Sequence, residues 1–131
     1  MSPEELIKTA FQALENAHAP YSGYRVGAAL LCEDGTVFTG CNVENASYGL
    51  TNCAERTAVF AAVSGGRKTF KAIAIASSTA PAPFPCGACR QVLAEFCDPA
   101  LNVYIADGAG FKTCTLGELL PHAFDLGETD E

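Results

Sequence analysis

Two short runs in this chain carry residue types that can hold a metal and move a proton: Cys53-Ala54-Glu55 and Pro85-Cys86-Gly87-Ala88-Cys89. Cys86 and Cys89 are three apart, so in a first helical turn their side chains share a face. Helix N-termini favour negative charge, which lowers a thiol's pKa and yields the metal-binding thiolate. If the starts of two helices meet, three thiolates face one ion. Zinc takes four tetrahedral ligands, and a catalytic site leaves the fourth position for water. Glu55, two residues from Cys53, is then a non-ligating carboxylate beside the metal. Its task is to take a proton from a water whose pKa zinc brings towards ~7, and to return it later. Arg56 is next in sequence, and its charge offsets the excess negative charge of three thiolates on one divalent ion.

Two other readings of the same residues stay open at this level. A structural zinc site needs a fourth protein ligand, and no second CxxC or HxxxH is present. His18 and His122 lack ligand spacing and read as ordinary surface or packing residues. A redox CxxC ordinarily follows a βαβ start, which this chain lacks. Cys32, Cys41, Cys97 and Cys114 stand alone in sequence and read as small buried hydrophobes.

The elements that must position these residues can be placed from pattern. Ser2 caps and Pro3 begins a first helix, with Leu6, Ile7, Ala10, Phe11 and Leu14 on one face. Two strand-like runs, 25–32 and 36–43, flank Glu33-Asp34-Gly35, where Asp-Gly signals a hairpin. A second helix capped by Thr51 or Asn52 runs to about Val63, and Ser64-Gly65-Gly66 stops it. A central strand is expected over 70–76, a Pro-rich loop over 77–85, and a third helix from Cys86 to about Phe96. A strand over 101–106 and a short strand with a helical turn over 113–120 complete the order. Strands alternating with helices predict an α/β fold, a three-layer α/β/α sandwich around a mixed sheet of about five strands. The whole chain, 1–131, reads as one catalytic domain with a loose acidic tail after about residue 125.

Composition narrows the partners. The net charge is −7 and the eight Lys and Arg are scattered, which argues against nucleic acid and for a small uncharged or weakly charged substrate. No apolar run approaches the roughly 18 residues of a membrane span, so no membrane association is expected. Met1-Ser2-Pro3-Glu4-Glu5 is acidic where a signal peptide is basic, and seven cysteines, an odd count, suit a reducing compartment. A cytoplasmic protein is expected.

The chain resembles the cytidine deaminase family, whose zinc signature is H-x-E followed by P-C-x-x-C, with three cysteines as an alternative ligand set. Five blocks carry the resemblance in order: Ala19 to Ser22, Val26 to Leu30, Gly40 to Asn45, Cys53 to Thr57 and Pro85 to Gln91. The resemblance implies zinc on Cys53, Cys86 and Cys89, with Glu55 as catalytic acid and base. It further implies that Asn42 and Glu44 bind sugar hydroxyls, and that Tyr24 stacks on the base where Phe is more usual. The backbone of Ala54 and Cys86 would help orient that base. Phe124, Ala46 and Tyr48 are implied to belong to a site shared between subunits of a homotetramer. The reaction implied is hydrolytic deamination of cytidine and 2′-deoxycytidine to the uridine products and ammonia, a step of pyrimidine salvage. Deamination of another aminated heterocycle or nucleoside antibiotic is the alternative within the enzyme class, and a non-catalytic structural zinc domain the alternative outside it.

Overall fold

Ser2 starts the first helix of the computed structural model as a reciprocal cap. Its Oγ accepts the Glu5 N–H while Glu5 Oε1 accepts the Ser2 N–H, with Pro3 at the head of α1 (Pro3–Ala13). The structure describes residues 1–127; the end of the acidic tail expected to be loose lies outside the described residues. After α1 come β1 (Val26–Cys32), β2 (Val37–Cys41), α2 (Ala54–Ser64), β3 (Phe70–Ser77), α3 (Gly87–Phe96), β4 (Asn102–Asp107), β5 (Gly110–Thr115) and α4 (Leu116–Leu119). The Asp-Gly hairpin forms as expected: Gly35 adopts φ +90° and Asp34 Oδ1 accepts the Thr36 N–H.

The five strands form one mixed sheet in the order β2-β1-β3-β4-β5. Only β3 and β4 run parallel, and α3 makes the crossover between them. Side chains alternate between the sheet's two faces. Ala28, Leu30, Ile73, Ile75, Val103 and Ile105 enter the core shared with α2 and α3. Ala29, Leu31, Ala72, Ala74, Ala76 and Ala106 face the other way, onto Leu6, Ile7, Ala10 and Leu14 of α1 and the turn after it. Helices on both faces give the expected three layers. Each fully buried Ile or Leu contributes roughly 1.5–3 kcal/mol of transfer free energy, so the heavier side, under α2 and α3, carries more of the stability.

Two glycines set how close the layers come. A Cβ on Gly27 would collide with backbone atoms of Ala10 and Leu14, and one on Gly40 with the Ala58 N and Ala54 O. The start of α2 therefore rests directly on β2, and Ala54 and Ala58 are fully buried there. Phe11 departs from the expected buried face of α1: it is 41% exposed, because α1 meets the sheet through Ala10 and Leu14.

Candidate active site

Cys53 and Cys86 are the N-cap residues of α2 and α3, and neither cap makes a side-chain hydrogen bond to its helix. The second helix starts at Cys53 rather than at Thr51 or Asn52, because Asn52 is used in an antiparallel bridge with Val43. That bridge, with Asn52 Nδ2 donating to Thr57 Oγ1, turns the chain so that Cys53 caps the helix. A third sulfur comes from Cys89, inside the first turn of α3. The three sulfurs lie within 4.8 Å of one another, with Cys53–Cys86 at 3.9 Å and Cys86–Cys89 at 3.5 Å. Sulfurs bound tetrahedrally to zinc at about 2.3 Å are about 3.8 Å apart, so this donor set fits that ion. Among the described residues no fourth Cys, His or carboxylate joins the cluster, which is the open arrangement of a catalytic centre and not the closed one of a structural site.

Electrostatics around the sulfurs follow from burial and one cation. Arg56 Nη2 donates to Cys53 Sγ at 3.3 Å. The Cys53 thiol is pulled down to about 5, first by its hydrogen bond with Cys89 and then by the Arg56 guanidinium, against the effect of burial. Cys89 moves the other way, because it keeps the proton that it shares with Cys53 and because it is buried. Glu55 is only 5% exposed, and burial raises its carboxyl to about 7, with the negative charge at Cys53 adding to the rise. A carboxyl near neutrality both takes and gives protons efficiently. A cation among the sulfurs acts in the opposite sense and favours its carboxylate form.

These groups open onto a cavity of about 510 Å³, whose lining includes Tyr24, Asn42, Glu44, Cys53, Ala54 and Glu55. Asn42 and Glu44 reach it from the segment just beyond β2, which ends at Cys41 and not at Val43. Both are already engaged. Asn42 Oδ1 accepts the Val26 N–H and its Nδ2 donates to Tyr24 O, while Glu44 accepts the N–H groups of Tyr21 and Ser22 and the Ser22 hydroxyl. The Ser22 hydroxyl leads in holding the Glu44 carboxyl below the usual carboxylate range.

A protein-family model for the cytidine and deoxycytidylate deaminase zinc-binding region matches residues 1–105. The chain belongs to this deaminase family. A cytidine deaminase of Halalkalibacterium halodurans is 54% identical over 132 residues, with all of both chains covered. One from Sporosarcina psychrophila is 52% identical over 125 residues, 95% of this chain and 92% of that protein. Among solved structures, cytidine deaminase from Burkholderia pseudomallei superposes with a TM-score of 0.90 at 50% identity, covering 95% of this chain and 100% of the other. That from Mycobacterium tuberculosis gives 0.84 at 44%, covering 96% and 99%. The cofactor of the family is zinc, which agrees with the three-sulfur cluster.

Three of the residues singled out in the sequence belong neither to this chain's own cavity lining nor to the sulfur cluster and its Arg56 partner. Tyr48 is 78% exposed and stands edge-on to Tyr21 at 6.4 Å, Ala46 is exposed beside it, and Phe124 is 69% exposed in the tail. The Phe124 carbonyl accepts from Gln91 Nε2. The cavity wall formed by Pro81 to Phe84 was missed in the sequence, where 77–85 read simply as a loop. The available signal was its position, a proline-rich run leading straight into Pro85-Cys86.

Proposed function

We propose that the chain catalyses hydrolytic deamination of cytidine and 2′-deoxycytidine, yielding uridine or 2′-deoxyuridine and ammonia. The observation that carries this reading is the open three-sulfur cluster with the buried Glu55 beside it, both facing one cavity. Zinc on Cys53, Cys86 and Cys89 would supply Lewis acidity to a water at its fourth position. Glu55 takes a proton from that water and delivers it to ring N3, which makes C4 more electrophilic. The water oxygen bonds to C4. Glu55 then carries the proton of the new C4 hydroxyl to the amine, whose C4–N bond breaks as the C4 carbonyl forms, so one carboxyl serves as base and acid in turn. Arg56 offsets the thiolate charge, which otherwise weakens the metal's pull on water.

Tyr24 offers a ring face to the base, the Ala54 and Cys86 backbone helps orient it, and at the sugar Asn42 donates and Glu44 accepts. The second N–H of Asn42 and the remaining lone pair of Glu44 stay available for hydroxyls. No Lys or Arg is among the residues lining the cavity, and Glu44 is anionic, so a free nucleoside suits it better than a nucleotide. The measurement is the ultraviolet absorbance change of cytidine with purified protein, alongside zinc content. Conversion to uridine with about one zinc per chain supports the reading; zinc without conversion removes it.

The reading extends to one catalytic domain over 1–131, a homotetramer, and a role in pyrimidine salvage in the cytoplasm. Ala46, Tyr48 and Phe124 would complete a neighbouring subunit's site, which is supported by their exposure and their absence from their own cavity. Among the described residues no helix is long and apolar enough to cross a membrane, and all seven cysteines are free, as a reducing compartment requires. Light scattering at several protein concentrations tests the assembly: a monomeric mass removes it.

A further inference from the structure

The wall from Pro81 to Phe84 is a partition. Its near side lines the 510 Å³ cavity with Tyr24 and Glu55, and its far side, at Pro81 and Ala82, faces a second cleft of about 300 Å³ beside Phe11 and Asp107. Pro83 is buried and Ala82 packs on the core under α2 and α3, so apolar contact seats the middle of the wall and hydrogen bonds fix its Pro81 edge. The ends of the segment are secured. Arg25 and Ser78 exchange bonds, Arg25 N–H to Ser78 Oγ at 3.1 Å and Ser78 N–H to Arg25 O at 2.8 Å. At the other end Arg90 Nε donates to Pro85 O at 2.7 Å.

Between these ends, Ser77 at the end of β3 donates its Oγ to Thr79 O at 2.9 Å and to Pro81 O at 3.4 Å, and one further hydrogen bond among the described residues reaches 79–84 from elsewhere in the chain. It runs from Tyr24 Oη to Pro81 O, at 2.6 Å. The phenol that makes it stands on a fixed base. The Tyr24 N–H donates to Ser22 Oγ at 3.0 Å, and its carbonyl accepts from Asn42 Nδ2 at 2.8 Å. Ser22 Oγ in turn donates to Glu44 Oε2. One bonded chain thus joins Glu44, on the sugar side, to the wall on the base side.

We propose that Tyr24 is a specificity-determining positioning residue: its hydroxyl, apart from any stacking by its ring, holds the Pro81–Phe84 wall and so sets the width of the substrate cavity. The proposal rests on the deaminase reading for its kinetic consequence, but its structural part does not. A fixed wall keeps cytidine in place and rejects cytidines enlarged on the ring; a loosened wall does both less well.

The test is Tyr24→Phe, which keeps the ring and removes only the hydroxyl. KM for cytidine is expected to rise about 3- to 10-fold, the scale of one hydrogen bond, with kcat within about twofold. The ratio of kcat/KM for 5-methylcytidine to that for cytidine should rise at least about threefold. Hydrogen exchange read by mass spectrometry should show faster exchange at the amides of 82 and 84 in the variant, at unchanged zinc content. Unchanged exchange together with unchanged selectivity overturns the proposal. Faster exchange with a proportional fall in kcat for both substrates also overturns it, because the wall would then not discriminate. If the unmutated protein deaminates nothing, the function fails while the exchange comparison still decides whether the hydroxyl holds the wall.

Discussion

The metal corner and the substrate rim of this molecule are built on different principles. The corner is made from the first turns of two helices whose backs are buried: Ala54, Ala58 and Leu93 are fully inaccessible, and Gly40 lets α2 rest on the sheet. Its geometry is a by-product of the core. The rim is made from loops, with Ser22, Tyr24, Asn42, Glu44 and Pro81 held to one another by hydrogen bonds and little apolar burial. Chemistry that tolerates no misplacement sits on the core, while recognition sits where it can be adjusted.

If that contrast holds, changes at the corner act on turnover and changes at the rim act on affinity. Glu55→Gln should lower kcat by roughly 10²–10⁴, the usual worth of a positioned acid-base group, with zinc retained by metal analysis. Chelation of the metal should abolish turnover while the far-ultraviolet circular dichroism persists, because both cores lie outside the cluster; a lost spectrum would make the corner depend on the ion for its shape. Arg56→Ala should reduce activity or zinc affinity about 10- to 100-fold, as removal of a ligand's hydrogen-bond partner does, with the melting temperature little moved. Gly40→Val should cost about 1–3 kcal/mol by denaturant titration and loosen zinc as well, since it pushes α2 off the strand.

The smallest effect belongs to the rim and depends on pH. The folded Glu44 carboxyl titrates below its usual range, so its contribution is complete above the unfolded value and is lost as pH falls through the folded one. KM for cytidine should therefore rise only on the acid side, and Glu44→Gln should flatten that limb. An acid limb that survives in the variant assigns it to another group.

The same contrast decides what the sequence revealed. The three-layer fold was legible because Leu30, Ile73, Ile75, Val103 and Ile105 repeat with strand periodicity between capped helices. The three-sulfur cluster was legible because Cys86 and Cys89 must share a face and Cys53 stands two residues from a carboxylate. The start of α2 was misplaced by one or two residues, since Thr51 and Asn52 are better caps than Cys53 in isolation, and only the pairing of Asn52 with Val43 settles the matter. The Pro81–Phe84 wall was legible only as a proline-rich loop, because the Tyr24 hydroxyl that bonds to it is 57 residues away in sequence.

Seating α2 on Gly40 ties Cys53, and with it one sulfur of the cluster, to the sheet. A side chain at position 40 would therefore act at a distance, moving a ligand without touching one.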